Sequence, residues 1–447
     1  MRAAALRIGA RMVPPLGARA WRLLAGVVAF EIGTGMTLPL VIVYLHGSRG
    51  IGLAAAGLAL SAVGAGGLAG TIAAGPLADR LGAGWVAVGG LGLAGVGTAG
   101  YLAVDGVASA IAASAAQGAG FAAVWVGLFP LLVRAVSPEL RGDVLATNYG
   151  LTNLGLGVGS MAAGVILAFA PNAFTPLFVI DAATYLGFAA WLLWLGEVRS
   201  DPAARTPADA PAGYRAALRD RALLATTAIN LLLVTAGYAQ MVSAFPAWAT
   251  GPAGVSKSLV GFAFAANTWA IAVAQLPVLA HVRTRRRTRA VAGTGVLFAL
   301  CWLIVLAAGE TSRHTAAAIA LVTAAAVFGL GETLLSPSLP AIVNDLAPER
   351  ARGRYVAVYS TSWQIGPMIG PVVAGAALAA GQGVPLLLGL AAACALAWPA
   401  AVGCERLIPA AANRSHPRPR VPTREGDRPA TVNTFGRPKS PGRVWRA

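Results

Sequence analysis

Residues 75–85 read "GPLADRLGAGW", a small-residue stretch carrying one acid and one base, Asp79 and Arg80. The chain on either side is uncharged: 51–74 holds no Asp, Glu, Lys, Arg or His, and neither does 85–104. Each flank is long enough to cross about 30 Å of hydrocarbon as a helix rising about 1.5 Å per residue. The stretch therefore reads as a polar turn between two membrane spans. Gly75 and Gly82 would let the chain turn tightly, and Pro76 would stop the preceding helix.

The whole chain follows this pattern. Of 447 residues, 57% are hydrophobic and 11% charged, with a mean hydropathy of +0.69. That is too little charge to cover a soluble protein of this length. Twelve apolar runs are expected at 21–45, 51–74, 84–104, 107–133, 144–170, 174–196, 221–249, 258–280, 290–308, 315–337, 354–379 and 384–408. Lipid offers no partner for free backbone groups, so the spans must be helices and the fold all-α. The polar, Pro/Ala-rich segment 197–220 reads as a linker between bundles 21–196 and 221–408. Residues 1–20 read as a basic arm, and 409–447, with seven prolines and nine Lys/Arg against two acids, as a tail without a core.

With both termini cytoplasmic, 31 of the 34 Lys and Arg fall inside, and only Arg49, Lys257 and Arg313 outside. This bias orients a plasma-membrane protein. The net charge of +17 then reflects topology and attraction to anionic lipid headgroups. Arginines scattered over many loops argue against nucleic acid as a partner. Cys301, Cys394 and Cys404 lack paired spacing, and the four histidines lack i,i+3 or i,i+4 partners, so no disulfide framework, metal or cofactor is expected. The absence of G-x-x-x-x-G-K-[ST] argues against ATP as the energy source.

The halves repeat. Gly118 and Gly120 match Gly329 and Gly331 at an offset of 211; "SPELRGDVLATNYG" (137–150) faces "APERARGRYVAVYS" (347–360), and "AGVILA" (163–168) faces "AGAALA" (374–379). Many carriers are built from such repeats, with the site between them.

In this setting "GPLADRLG" resembles the loop signature of the major facilitator superfamily, through Gly75, Leu77, Ala78, Asp79, Arg80 and Gly82. The resemblance covers 21–408. It implies two pseudo-symmetric six-helix bundles, alternating access, and a conformational lock at Gly75, Asp79, Arg80 and Gly82. A solvated turn with a topology-setting arginine is the plainer reading of the same residues. Within the superfamily the chain resembles the drug:proton antiporter branch. "SAAQGAGFAA" (114–123) keeps Gln117, Gly118 and Gly120, with Ser114 in place of the arginine. "NLGLGVGSMAAG" (153–164) resembles the antiporter glycine ladder, with Ser160 in place of the usual proline. This implies proton-coupled export of a lipophilic, drug-like molecule, with efflux and multidrug resistance as its biology. The alternatives are proton-coupled uptake of a small metabolite, and a non-transporting membrane receptor or enzyme. A monomer is expected.

Charges inside spans are costly and therefore informative. Glu31 lies about 12 Å along the first helix, Asp181 about 10 Å along the sixth, and Glu332 toward the cytoplasmic end of the tenth. These three are the proton-coupling candidates; each could instead be a hydrogen-bonded structural acid. Gln117, Asn148, Tyr149, Asn153, Asn230, Gln240, Asn267, Trp269 and Gln364 are at depths suited to a substrate cavity, though lipid-facing or interhelical packing would suit them too.

Overall fold

In a computed structural model, residues 14–199, 214–282 and 285–414 are described. Residues 1–13 of the basic arm, 200–213 of the linker and 415–447 of the tail lie outside the described residues. Among the described residues, eleven helices are long and apolar enough to cross a membrane. They are α1 (Gly17–Gly47), α2 (Leu53–Leu81), α3 (Ala83–Ala103), α4 (Val107–Arg134), α5 (Pro138–Phe169), α6 (Phe174–Trp194), α7 (Arg221–Thr250), α8 (Lys257–Val282), α9 (Arg287–Glu310), α10 (His314–Leu346) and α12 (Gly383–Arg406). Between the last two runs α11 (Arg352–Ala379), equally long but more polar, since "RYVAVYSTSWQ" interrupts its apolar character. All the expected spans are therefore helices. Only α11 falls short on apolarity.

The contacts repeat at a shift of six helices. In the first half α1 packs on α5 and α6, α4 on α2 and α3, and α3 on α6. In the second, α7 packs on α11 and α12, α10 on α8 and α9, and α9 on α12. The halves meet through α2 with α11 and α5 with α8, again a symmetric pair. Small residues allow these approaches, because lipid supplies no hydrophobic drive and close van der Waals contact must hold the helices together.

The described chain ends and the α2–α3 turn share one face, here the terminal face; the α1–α2 turn lies on the opposite face. Close approaches between the halves gather toward the opposite face. Gly57 meets Pro371 and Gly375, Gly261 meets Ser160 and Gly164, and the Val372 N–H donates to Ser61 Oγ at 3.0 Å. Beyond them Lys257 Nζ donates to Asn172 Oδ1 at 2.8 Å. On the terminal face each half is fastened by its own ion pair. Arg19 meets Glu197 at 2.6 Å, and Arg286 pairs with Glu405.

Two local expectations need correction. Pro76 does not stop α2, which continues to Leu81; Gly82, at φ 92°, makes the one-residue turn into α3. A proline removes one backbone bond, and a membrane helix tolerates this where side chains or water take up the freed carbonyl. The packed chain also runs past 408. Ala412 and Asn413 are buried, with the Thr288 N–H donating to Asn413 Oδ1 at 3.0 Å and Arg287 to the Ala412 carbonyl at 2.9 Å.

Candidate functional site

Two helices break at related positions. In α1 a tight 3-10 turn occupies Leu38–Leu40, where Pro39 cannot donate to the helical ladder. In α7 a wide π turn spans Val234–Tyr238, helix returns for Ala239–Met241, and a turn at Val242–Ser243 precedes the last stretch, Ala244–Thr250. Such irregular turns turn side chains away from the helical register. Here they aim Leu38 and Pro39 from one half, and Tyr238, Met241 and Val242 from the other, into a shared cavity of about 130 Å³.

Asn153, Leu156 and Ser160 of α5, Phe264, Asn267 and Thr268 of α8, and Phe328 and Glu332 of α10 complete its wall. The cavity thus draws on both halves. Its wall is mostly apolar, with one acid. Asn267 Nδ2 donates to Glu332 Oε1 at 3.0 Å and to the Ala325 carbonyl at 3.2 Å. Tyr238 and Tyr149 also lie beside Glu332. Tyr238 is held in place by aromatic neighbours: Trp363 at 4.9 Å, Phe328 at 5.5 Å and Phe298 at 5.7 Å between ring centroids. A fixed carboxyl group among aromatic rings and amides can hold or release a proton, or accept a hydrogen bond from an amine or hydroxyl of a bound molecule.

Of the residues singled out in the sequence, Asn153, Asn267 and Glu332 line this cavity and Tyr149 borders it. Several others hold helices together within one half. Gln117 Nε2 donates to Thr98 at 3.2 Å and its Oε1 accepts from Tyr101 at 3.3 Å. Asn230 Nδ2 donates to Ser362 Oγ at 2.6 Å. Gln240 Nε2 donates to the Gly370 carbonyl at 3.0 Å. Asn148 is buried in α5 with Oδ1 unpartnered. Trp269 is 45% exposed and is not among the residues lining the cavity. Gln364 faces Gly67 across the α2–α11 contact. Glu31 and Asp181 are buried in the first half and do not line the cavity.

Gly75, Asp79, Arg80 and Gly82 sit at the terminal-face end of α2, with Asp79 and Arg80 exposed. Neither makes an ion pair among the described residues. Tyr238, Phe264 and Phe328 complete the aromatic wall. No spacing in the sequence marks them out together; Pro39 and Pro246, each inside a long apolar run, are the readable signs of the breaks.

Comparison with known proteins places this geometry. Residues 23–251 and 243–447 match the model of the Major Facilitator Superfamily. An uncharacterized MFS-type transporter of Bacillus subtilis (strain 168), YttB, is 25% identical over 365 residues, covering 79% of this chain and 86% of the relative. A POT family transporter solved with a thioalcohol conjugated peptide aligns with a TM-score of 0.70 at 12% identity, covering 87% of this chain and 96% of the other. A structure described for substrate recognition in proton dependent oligopeptide transporters aligns at 0.66 and 17% identity, covering 87% and 98%. These findings overturn the expectation of an antiporter acting in efflux and multidrug resistance. Of these two solved proteins, the first is a POT family transporter in complex with a thioalcohol conjugated peptide and the second is described for proton dependent oligopeptide transporters. The glycine ladders that suggested the antiporter branch serve here as helix crossings: Gly118 meets Val63, and Gly159 meets Ile32.

Proposed function

Because the chain belongs to the Major Facilitator Superfamily, and so is a transporter rather than an enzyme, we propose that it carries a small metabolite into the cell together with protons. The bodies that rock are the bundles 21–196 and 221–408, and the substrate binds in the cavity between them. The observation that carries this reading is Glu332, a lone acid in an apolar wall, held by Asn267 and bordered by Tyr238. An acid in such surroundings can hold a proton, and a substrate amine or hydroxyl can share it. The cavity suits a small molecule with an apolar body and one polar end.

The arginine bias supports placing the terminal face in the cytoplasm of a plasma-membrane protein. On that orientation the structure is the state closed toward the outside, because the close approaches of α2 with α11 and of α5 with α8 gather there. Asp79, exposed and without an ion pair among the described residues, fits a lock that forms when the cytoplasmic side closes. Basic loops on this side would rest on anionic lipid.

The test is proton flux in proteoliposomes loaded with a pH-sensitive dye. Short peptides, amino acids and nucleosides are added outside, one at a time. One class should acidify the lumen with wild-type protein and not with Glu332→Gln. Lumenal alkalinisation on adding a transported compound would mean exchange, and would overturn the reading.

A further inference from the structure

The cavity between the halves has one acid and, among the described residues that line it, no Lys, Arg or His. The sequence explains this. On α1 His46 follows Pro39 by seven residues, and on α8 Lys257 precedes Phe264 by seven, a separation of about 10 Å along each helix. Both are engaged beyond the cavity: a His46 ring nitrogen meets the Ile51 carbonyl at 3.0 Å, and Lys257 reaches Asn172 at 2.8 Å. On α5, α7 and α10 the nearest base is twelve or more residues from the lining positions.

The polar side chains of the wall have also committed most of their donors to the protein. Ser160 Oγ donates to the Gly35 carbonyl at 2.9 Å, Thr268 Oγ1 to the Ala265 carbonyl at 3.0 Å, and Asn153 Nδ2 to the Tyr149 carbonyl at 2.9 Å. Asn267 Nδ2 serves both Glu332 and the Ala325 carbonyl. What is left to a ligand is chiefly acceptor capacity on amide, hydroxyl and carboxyl oxygens. A carboxylate entering here would meet no counter-charge and few donors, with Glu332 as a like-charged neighbour whenever that acid is ionised. Size narrows the choice further. An apolar cavity of about 150 Å³ takes a molecule the size of benzene, so about 130 Å³ walled by Tyr238, Phe264 and Phe328 suits one ring.

We infer that the cargo is an uncharged, single-ring solute whose N–H or O–H groups donate to this wall, and that carboxylates are excluded. The choice of an uncharged over a cationic donor rests on the uptake reading: an ammonium would need Glu332 ionised, leaving that acid no proton to carry alongside. The exclusion of carboxylates stands without it.

The test is titration calorimetry on the purified full-length protein. It imposes no gradient, so its outcome is independent of the direction of proton flux, which the proteoliposome assay reports separately. Uracil, nicotinamide and benzyl alcohol are compared with their carboxylate counterparts orotate, nicotinate and benzoate, and with benzylamine as the cation. At least one uncharged ring should bind saturably, at least about tenfold tighter than its carboxylate counterpart and tighter than benzylamine. Methylating the donors of the ring that binds should weaken it by about tenfold. Leu156→Trp and Val242→Trp, one from each half, fill the cavity and should each remove the binding, whereas Gly89→Leu, far from any neighbour within 4 Å, should keep it. The inference is overturned by a carboxylate that binds as tightly as its uncharged counterpart, by benzylamine binding more tightly than every uncharged ring, or by saturable binding of none of the three. Binding that survives methylation, or that survives in a folded tryptophan variant, would overturn it as well.

Discussion

Asn267 on α8 and Glu332 on α10 are joined by a 3.0 Å hydrogen bond across the wall of the central cavity. The same amide reaches the Ala325 carbonyl at 3.2 Å, which fixes its orientation. The acid is therefore aimed by a neighbouring helix as well as by its own. A hydrogen bond to a charged group contributes about 1.5–3 kcal/mol. Asn267→Ala should weaken substrate-driven proton entry by roughly ten- to a hundredfold on that scale, with normal expression. Glu332→Gln should abolish accumulation against a gradient yet keep substrate exchange between the two sides. Counterflow and accumulation assays on one preparation separate the two outcomes. Full accumulation by Glu332→Gln would remove this acid from the coupling.

Asp79 makes no ion pair among the described residues, so Asp79→Asn should cost little stability here. Its effect belongs to the state in which the terminal face closes. The expected outcome is a near-normal Tm, slower transport, and greater labelling of cysteines placed along the terminal-face half of α2 and α11. Unchanged labelling with normal transport would reduce the loop to a turn.

The spans, their repeat and the small-residue crossings were legible because a bilayer imposes them residue by residue. Depth along a helix was legible too, and it singled out Glu31, Asp181 and Glu332. Direction was not. Glu31 faces Gly155 in the first half and Glu332 faces the cavity, and the difference depends on which neighbour each helix packs against. Gln117, Asn230 and Gln240 showed the same ambiguity: an amide at mid-membrane depth serves equally to bind a substrate or to join two helices. Pro39 announced the break in α1. In α7 the π turn at Val234–Tyr238 holds no proline and local sequence does not mark it, whereas the turn at Val242–Ser243 is followed by Pro246, which cannot donate to the Val242 carbonyl.

The end of the chain divides at about residue 415. Arg287, itself buried, donates to the Ala412 carbonyl and to Asp345 at 2.5 Å. Deleting 416–447 should leave transport and Tm close to normal, since that composition offers no core. Deleting 410–447 strips partners from a buried guanidinium and from the Thr288 N–H, at roughly 1–3 kcal/mol for each group left unmet. Detergent-solubilised protein should then melt earlier. Equal Tm values for the two truncations would show that the Ala410–Asn413 turn contributes nothing.

One contact between the halves that a single change would disturb is that of Gly57 on α2 with Gly375 on α11. A Cβ built on either glycine would lie 3.0 Å from the other's Cα, and each also meets a carbonyl of the partner helix, that of Pro371 or Leu53. Backbone atoms cannot swing aside as a side chain does. Gly57→Leu should therefore hold the opposite face apart and favour the conformer in which the terminal face is closed. Each helix could remain intact, because glycine to leucine raises helix propensity by about 0.8–1 kcal/mol. The expected variant is folded and membrane-inserted, binds substrate from the opposite face, and does not complete a transport cycle. Cysteines near Leu53 and Gly375 should label faster than in wild type. Gly57→Ala should be intermediate, and Gly89→Leu, where an added side chain meets nothing within 4 Å, should transport normally. A Gly57→Leu variant that cycled at the wild-type rate would mean that α2 and α11 need not meet here during transport.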